Sequence, residues 1–305
     1  MVEYLAATDA TITCAQIDTR WVDGFRAWLS NRPVTSTAGK VIRDRSLGHV
    51  EGCVRQLAAA INATPGQSAQ FKAEQASVVA ASPKYRADVD MLAAMFRYCL
   101  EPSGKWVRTA KERETYLAYR ASLLRYLRAA VATWARPEEI HDLRPAQWSS
   151  AAGVLDLNGP GRRQTRKYRG VVPVPRQFSP YLDEMGATYM PVATIRGAWD
   201  RMRKEIGLPA EHAEAGPKLI RRSMATLARR RIGEANWRQG EIMLGHVKAS
   251  TSDIYALRDP ANLGLALNAT ESIINDICQR VPAAFHRNFT ATGNALTTIA
   301  GGRNG

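Results

Sequence analysis

The chain has 305 residues, 45% hydrophobic and 23% charged, values of a globular protein long enough for about two domains. Its formal net charge of +14 favours a polyanionic partner, nucleic acid ahead of an anionic membrane. No apolar run approaches the roughly 20 residues of a bilayer span, and no basic-then-apolar leader opens the sequence. Cys14, Cys53, Cys99 and Cys278 are scattered without zinc spacing. The expectation is therefore a cytoplasmic protein with reduced thiols, no metal, no cofactor and no membrane partner.

Residues 1–18 carry no strong signal. From Thr19, a candidate N-cap, the stretch TRWVDGFRAWLSNRP predicts a helix, with Trp21, Phe25, Trp28 and Leu29 at helical spacing. Asn31, Pro33 and Gly39 mark a loop. A second helix runs from Ser46, with Leu47, Val50, Val54, Leu57 and Ile61 on one face, and Thr64-Pro65-Gly66 ends it. A third helical stretch is expected over 67–80. A fourth opens at Ser82-Pro83, with Leu92, Met95, Phe96 and Cys99 inward. These four helices, without a β pattern, form a first module over 1–104. Glu101-Pro102-Ser103-Gly104 is the linker signal and sets the domain boundary near 105.

The second module, 105–282, begins with a long helix over about 110–132. Tyr116, Tyr119 and Tyr126 on it read as packing residues. A short helix follows from Pro137, whose fixed φ suits a first helical turn. The one β region is an antiparallel pair, Val154–Leu157 and Tyr168–Val174, flanking the cationic run Arg162-Arg163-Gln164-Thr165-Arg166-Lys167. Further helices are expected over 192–206, 217–232, 237–244, 250–256 and 262–279. Residues 283–305 read as a weakly ordered tail. The fold class is mainly α with a small antiparallel β-sheet (α+β).

The stretch from Lys218 to Tyr255 is the most informative. It contains Lys218-Leu219-Ile220-Arg221, then Leu244-Gly245-His246, then Tyr255, nine residues beyond the histidine. Metal-free phosphodiester cleavage needs a nucleophile, cations on the non-bridging oxygens and a proton donor for the leaving oxygen. Arginine suits the clamp because its planar fork binds two oxygens and stays charged.

These residues, in this order, resemble the tyrosine recombinases, the phage-integrase family of DNA strand-exchange enzymes. The resemblance is strongest over about 134–256 and weaker over 20–100. It implies a helical core-binding domain followed by a catalytic domain. It also implies Arg136 and Arg221 as phosphate clamp, with Glu139 as the acidic support of Arg136. Lys167 is implied as general acid, with Arg163 and Arg166 as neighbours able to take that part, and His246 as an auxiliary. Tyr255 is implied as the nucleophile that forms a 3′-phosphotyrosyl link. Lys218 departs from the pattern, standing where the family has histidine, and this leaves the identity of the base open. His49, His141 and His212 lack such company and read as structural or solvated. Trp237 and the arginines 229–231 read as packing and surface.

The partners implied are double-stranded DNA with a specific recombination site and a homotetramer on it, with accessory DNA-bending factors as further candidates. The setting implied is the bacterial nucleoid or the host cell of a mobile element. The 262–279 helix is expected to dock either on its own domain or on a neighbouring subunit. Two rival readings share the residues: a type IB-like topoisomerase, and a DNA-binding protein whose recombinase site has decayed.

Overall fold

The computed structural model describes residues 2–8, 11–75, 83–105, 107–164, 167–211, 214–246 and 259–286. The protein is mainly helical with two small antiparallel sheets. No described helix is long and apolar enough to cross a membrane. The chain divides into two compact units, Met1–Pro83 and Lys84–Gly305.

The first unit contains α1 (Val2–Thr8), α2 (Thr19–Ser30) and α3 (Leu47–Asn62). Helix α2 is capped by Asp18, whose carboxylate accepts from the Trp21 amide at 2.8 Å; the cap thus lies one residue before Thr19. The apolar faces of α2 and α3 meet in a core of Val22, Phe25, Leu29, Val50, Val54, Leu57 and Ile61. Tyr4 adds its ring edge-on to Trp21.

Two sequence expectations change here. Between α2 and α3 lies a β-hairpin, β1 (Val34–Thr35) paired with β2 (Val41–Arg43), so the module is not purely helical. Residues 67–75 form no helix. Buried Glu51 on α3 accepts from the Glu74 amide at 2.7 Å, and Arg55 donates to the Glu74 carbonyl at 2.7 Å. Backbone groups of this segment are thereby spent on tertiary bonds rather than on an i−4 ladder. The rest of that expected stretch, 76–80, lies outside the described residues.

The second unit begins at Lys84, not near 105. The reason is α4 (Val89–Leu100), which buries Leu92, Met95, Phe96 and Cys99 in the larger core beside Leu123, Leu127, Ile273 and Ile277. Helix α5 (Ala110–Thr133) starts with a Thr109/Glu112 capping box. Its outer turns are solvated; Tyr119 is 73% exposed rather than packed. From Leu123 onward it is largely buried, Tyr126 included.

Next come α6 (Pro137–His141), then β3 (Trp148–Ser149), β4 (Val154–Asp156) and β5 (Val171–Pro173). These strands form one antiparallel sheet in the order β3-β4-β5, with Leu155 opposite Val172. The remaining helices are α7 (Ser179–Asp183), α8 (Arg196–Glu205), α9 (Leu219–Ile232), α10 (Arg238–Met243) and α11 (Gly264–Arg280).

Helix α11, the expected 262–279 element, packs on its own unit, burying Ala266, Ile273, Ile274 and Ile277. The described residues also run past 283, to 286. Phe285 is buried against Phe96, with ring centroids 5.3 Å apart, and Arg128 donates to the carbonyls of Ala283 and Ala284. Residues 287–305, most of the expected tail, lie outside the described residues.

Candidate functional site

Arg136 is placed by the end of α5 and the start of α6. Helix α5 terminates at Trp134, the only non-glycine described residue with positive φ (53°). A left-handed conformation is costly for a bulky side chain. Here the indole is fully buried and stacked on Trp237 at an interplanar angle of 17°. The reversal brings Arg136 to the N-cap of α6, with Pro137 in the first turn. Glu139, 1% exposed, closes the turn by accepting from the Arg136 backbone amide at 2.6 Å and from its Nη1 at 2.5 Å.

A second arginine, not singled out from the sequence, shares that carboxylate. Arg169 is 4% exposed, lies 3.8 Å from Glu139 and donates to Asp142 at 3.1 Å. Its signal was a cation inside an otherwise apolar strand segment, Tyr168–Val174. Between them, Glu139 and Asp142 hold both guanidiniums to α6 and to the hairpin.

Arg221 lies in the first turn of α9 and is largely buried. It donates to the Trp134 carbonyl at 2.6 Å and to the Leu244 carbonyl. Burial, then the nearby charge of Arg136, pushes its pKa down to about 10; it remains a cation at neutral pH. Arg136 also reaches Leu244 O at 3.5 Å and the Tyr168 carbonyl at 3.0 Å.

The Leu244-Gly245-His246 turn has a definite backbone reason. His246 N donates to Glu241 O at 3.0 Å and Gly245 N to Ile242 O at 2.9 Å. Together these bonds make the Schellman ending of α10, with glycine at the left-handed position. Gly245 has φ +57°, and a Cβ there would come within 2.4 Å of the Tyr168 carbonyl oxygen. The turn points His246 into the mouth of the site. The imidazole pKa is lowered, first by desolvation and then by the charges of Arg221 and Arg136. The ring is therefore held toward its neutral form until an anion enters.

One cavity of about 480 Å³ collects these groups. Its lining includes Arg136, Lys218, Arg221 and His246, with Trp237 along one wall. Trp237 is thus both a packing residue and a cavity wall. The excess of cations in this lining suits an anion of phosphate size. Among the described residues no group of histidine, cysteine and acidic side chains is placed to hold a metal ion.

Two sequence candidates are not brought to this lining. Lys167 is exposed and does not belong to it, although the carbonyl of the next residue, Tyr168, accepts from Arg136. Arg163 is exposed on the same loop. Tyr255, like Arg166 and His212, lies outside the described residues.

Compared with models of known protein families and with curated proteins, the chain matches none.

Proposed function

We propose that the chain is a site-specific DNA recombinase, cutting and rejoining one strand at a time through Tyr255. The observation that carries this reading is the shared cavity. Arg136, Lys218, Arg221 and His246 come from three separate stretches of sequence and line one basic recess, and their order along the chain resembles that of the tyrosine recombinases. Arg136 and Arg221 would grip the two non-bridging oxygens of the scissile phosphate, with Lys218 and His246 adding charge or hydrogen bonds.

The phenolic oxygen of Tyr255 would then form a bond to phosphorus as the bond to the 5′ oxygen breaks. The phenol proton passes to a base, for which Lys218 and His246 are the cavity's candidates. Lys167, next to the hairpin carbonyl that holds Arg136, would protonate the leaving 5′ oxygen. The 3′-phosphotyrosyl link conserves the bond, and a new 5′ hydroxyl reverses the step. By this reading the first unit is a core-binding domain, and the working form is a tetramer on paired sites.

The test is covalent capture. A library of nicked random-sequence duplexes, incubated with wild type and denatured, should yield a protein–DNA adduct that Tyr255→Phe does not form. DNA binding with no adduct would favour a decayed site. Free relaxation of supercoiled plasmid, without site or partner subunits, would favour the topoisomerase reading.

A further inference from the structure

The cavity extends beyond the residues assigned to the cleaved phosphate. Arg86, Arg222, Thr226 and Arg229 also line it. Arg229 lies over the Trp237 ring and is bound by Glu234, which fixes it at the rim. Arg86 and Arg222 are placed differently.

Arg86 sits on an extended segment pinned on both sides. Before it, the amides of Lys84 and Tyr85 donate to the Glu214 carboxylate at 2.8 and 2.7 Å. After it, the buried Ala87 amide donates to Ser223 Oγ at 2.8 Å. Arg86 itself donates to the Tyr85 carbonyl at 2.8 Å. Arg222 follows Arg221 on α9 and donates to the Glu214 carbonyl. Both arginines are therefore tied around one residue, Glu214, and both face the same recess. Burial lowers the Arg222 pKa, and the neighbouring charge of Arg86 lowers it further. The Glu214 carboxylate acts the other way on Arg222, but it already accepts from the Lys84 and Tyr85 amides, and the recess lined by Arg86, Arg222, Arg221 and Lys218 keeps an excess of cations.

We propose that Arg86 and Arg222 form a second anion subsite, taking a backbone phosphate next to the cleaved one on the same DNA strand. Arg221 and Arg222 are adjacent on α9, with a rise of about 1.5 Å, and they diverge around the helix. Each nucleotide of a strand carries a phosphate, and a strand lying along the one recess that both positions line would present successive phosphates to them. The subsite holds the strand in register and touches no reacting atom. This inference rests on the DNA reading above.

The test uses the full chain and a mixed-sequence duplex, with affinity followed by anisotropy as salt is raised. Each phosphate neutralised contributes about 0.9 to the slope of log K against log salt. Arg86→Gln and Arg222→Gln should each flatten the slope. The double variant should flatten it by about 0.9 in all, the value of one shared phosphate. A loss of about 1.8 would mean two separate phosphates and would overturn the shared subsite, as would an unchanged slope. Arg86→Gln alters an exposed side chain and reports alone if Arg222→Gln does not fold: a flatter slope supports the subsite, an unchanged one overturns it. Wild type without salt-dependent binding would sink the DNA reading itself, whereas binding with unaltered variant slopes removes only the subsite.

Discussion

Arg136 and Arg221, 85 residues apart in sequence, donate to the same acceptor, the carbonyl oxygen of Leu244. A carbonyl aligns a guanidinium without cancelling its charge. At this acceptor the pair is oriented by backbone, and the charge of Arg221, which donates to carbonyls at both of its bonds, is left for a ligand. Only Arg136 also touches a carboxylate, that of Glu139.

Arg136→Lys and Arg221→Lys should each slow covalent adduct formation by about 10²–10³-fold, the usual loss for one transition-state donor. Lysine keeps the charge but cannot bond two acceptors from one planar fork. Single-turnover capture on a nicked duplex measures this. A lysine variant within threefold of wild type would remove that arginine from the clamp.

Anions should stabilise the free protein, because the cavity holds cations in mutual repulsion. Binding linkage gives about 2.7 kcal/mol at a hundredfold excess of ligand over its Kd. Thermal melts in rising inorganic phosphate or heparin should shift upward, and Arg221→Gln should blunt the shift. Equal shifts in both proteins would place the anion elsewhere.

Glu139→Gln should cost about 3 kcal/mol in urea unfolding, near the lower end of the range for breaking a buried ion pair. Asp142 still serves Arg169, which limits the damage, but Arg136 loses its only buried counter-charge. A change below about 1 kcal/mol, the worth of an exposed pair, would mean that the carboxylate is not what holds this turn.

Gly245→Ala should lower the melting temperature and impair DNA cleavage together. The new methyl group would sit 2.4 Å from a backbone oxygen, at φ +57°, so either the hairpin or the histidine turn must move. An active, fully stable Gly245→Ala protein would show that neither is fixed.

The depressed His246 pKa gives a signed pH effect. Between its folded value and the ordinary value of about 6.5, the unfolded chain binds more protons. Stability from this group is thus fully present above pH 6.5 and declines as pH falls through that window. A bound phosphate reverses the preference, so duplex affinity should rise over the same interval. His246→Asn should flatten both profiles; profiles parallel to wild type would assign the effect to another group.

Four of the candidate residues, Arg136, Lys218, Arg221 and His246, were picked out by residue type and order, and they line one cavity; Lys167 does not join it, and Tyr255 lies outside the described residues. Leu244-Gly245-His246 could be read for a second reason, since glycine after a helix is what a Schellman turn requires. Arg169 was missed because a buried arginine just before a short strand has no periodic signature until its partners, Glu139 and Asp142, are placed. Trp134 was not legible either. Nothing in a tryptophan's local preference announces a left-handed turn, which is imposed by its stacking on Trp237. In the fold, helical periodicity located α2, α3, α5, α9 and α11. It failed at 67–75, where contacts with Glu51 and Arg55 outweigh local propensity, and at the short hairpin of β1 and β2, whose Val41 and Ile42 face solvent and so show no alternation.

Helix α4 has a practical consequence. It precedes the Glu101–Gly104 turn, yet Leu92, Met95 and Phe96 fill the same interior as α5 and α11. A truncation at residue 105 would strip away one wall of that interior and expose the others. A fragment begun at Lys84 keeps the wall, and keeps Arg86 with its anchors on Glu214 and Ser223. That is where an expression boundary belongs if the larger unit is to be purified alone.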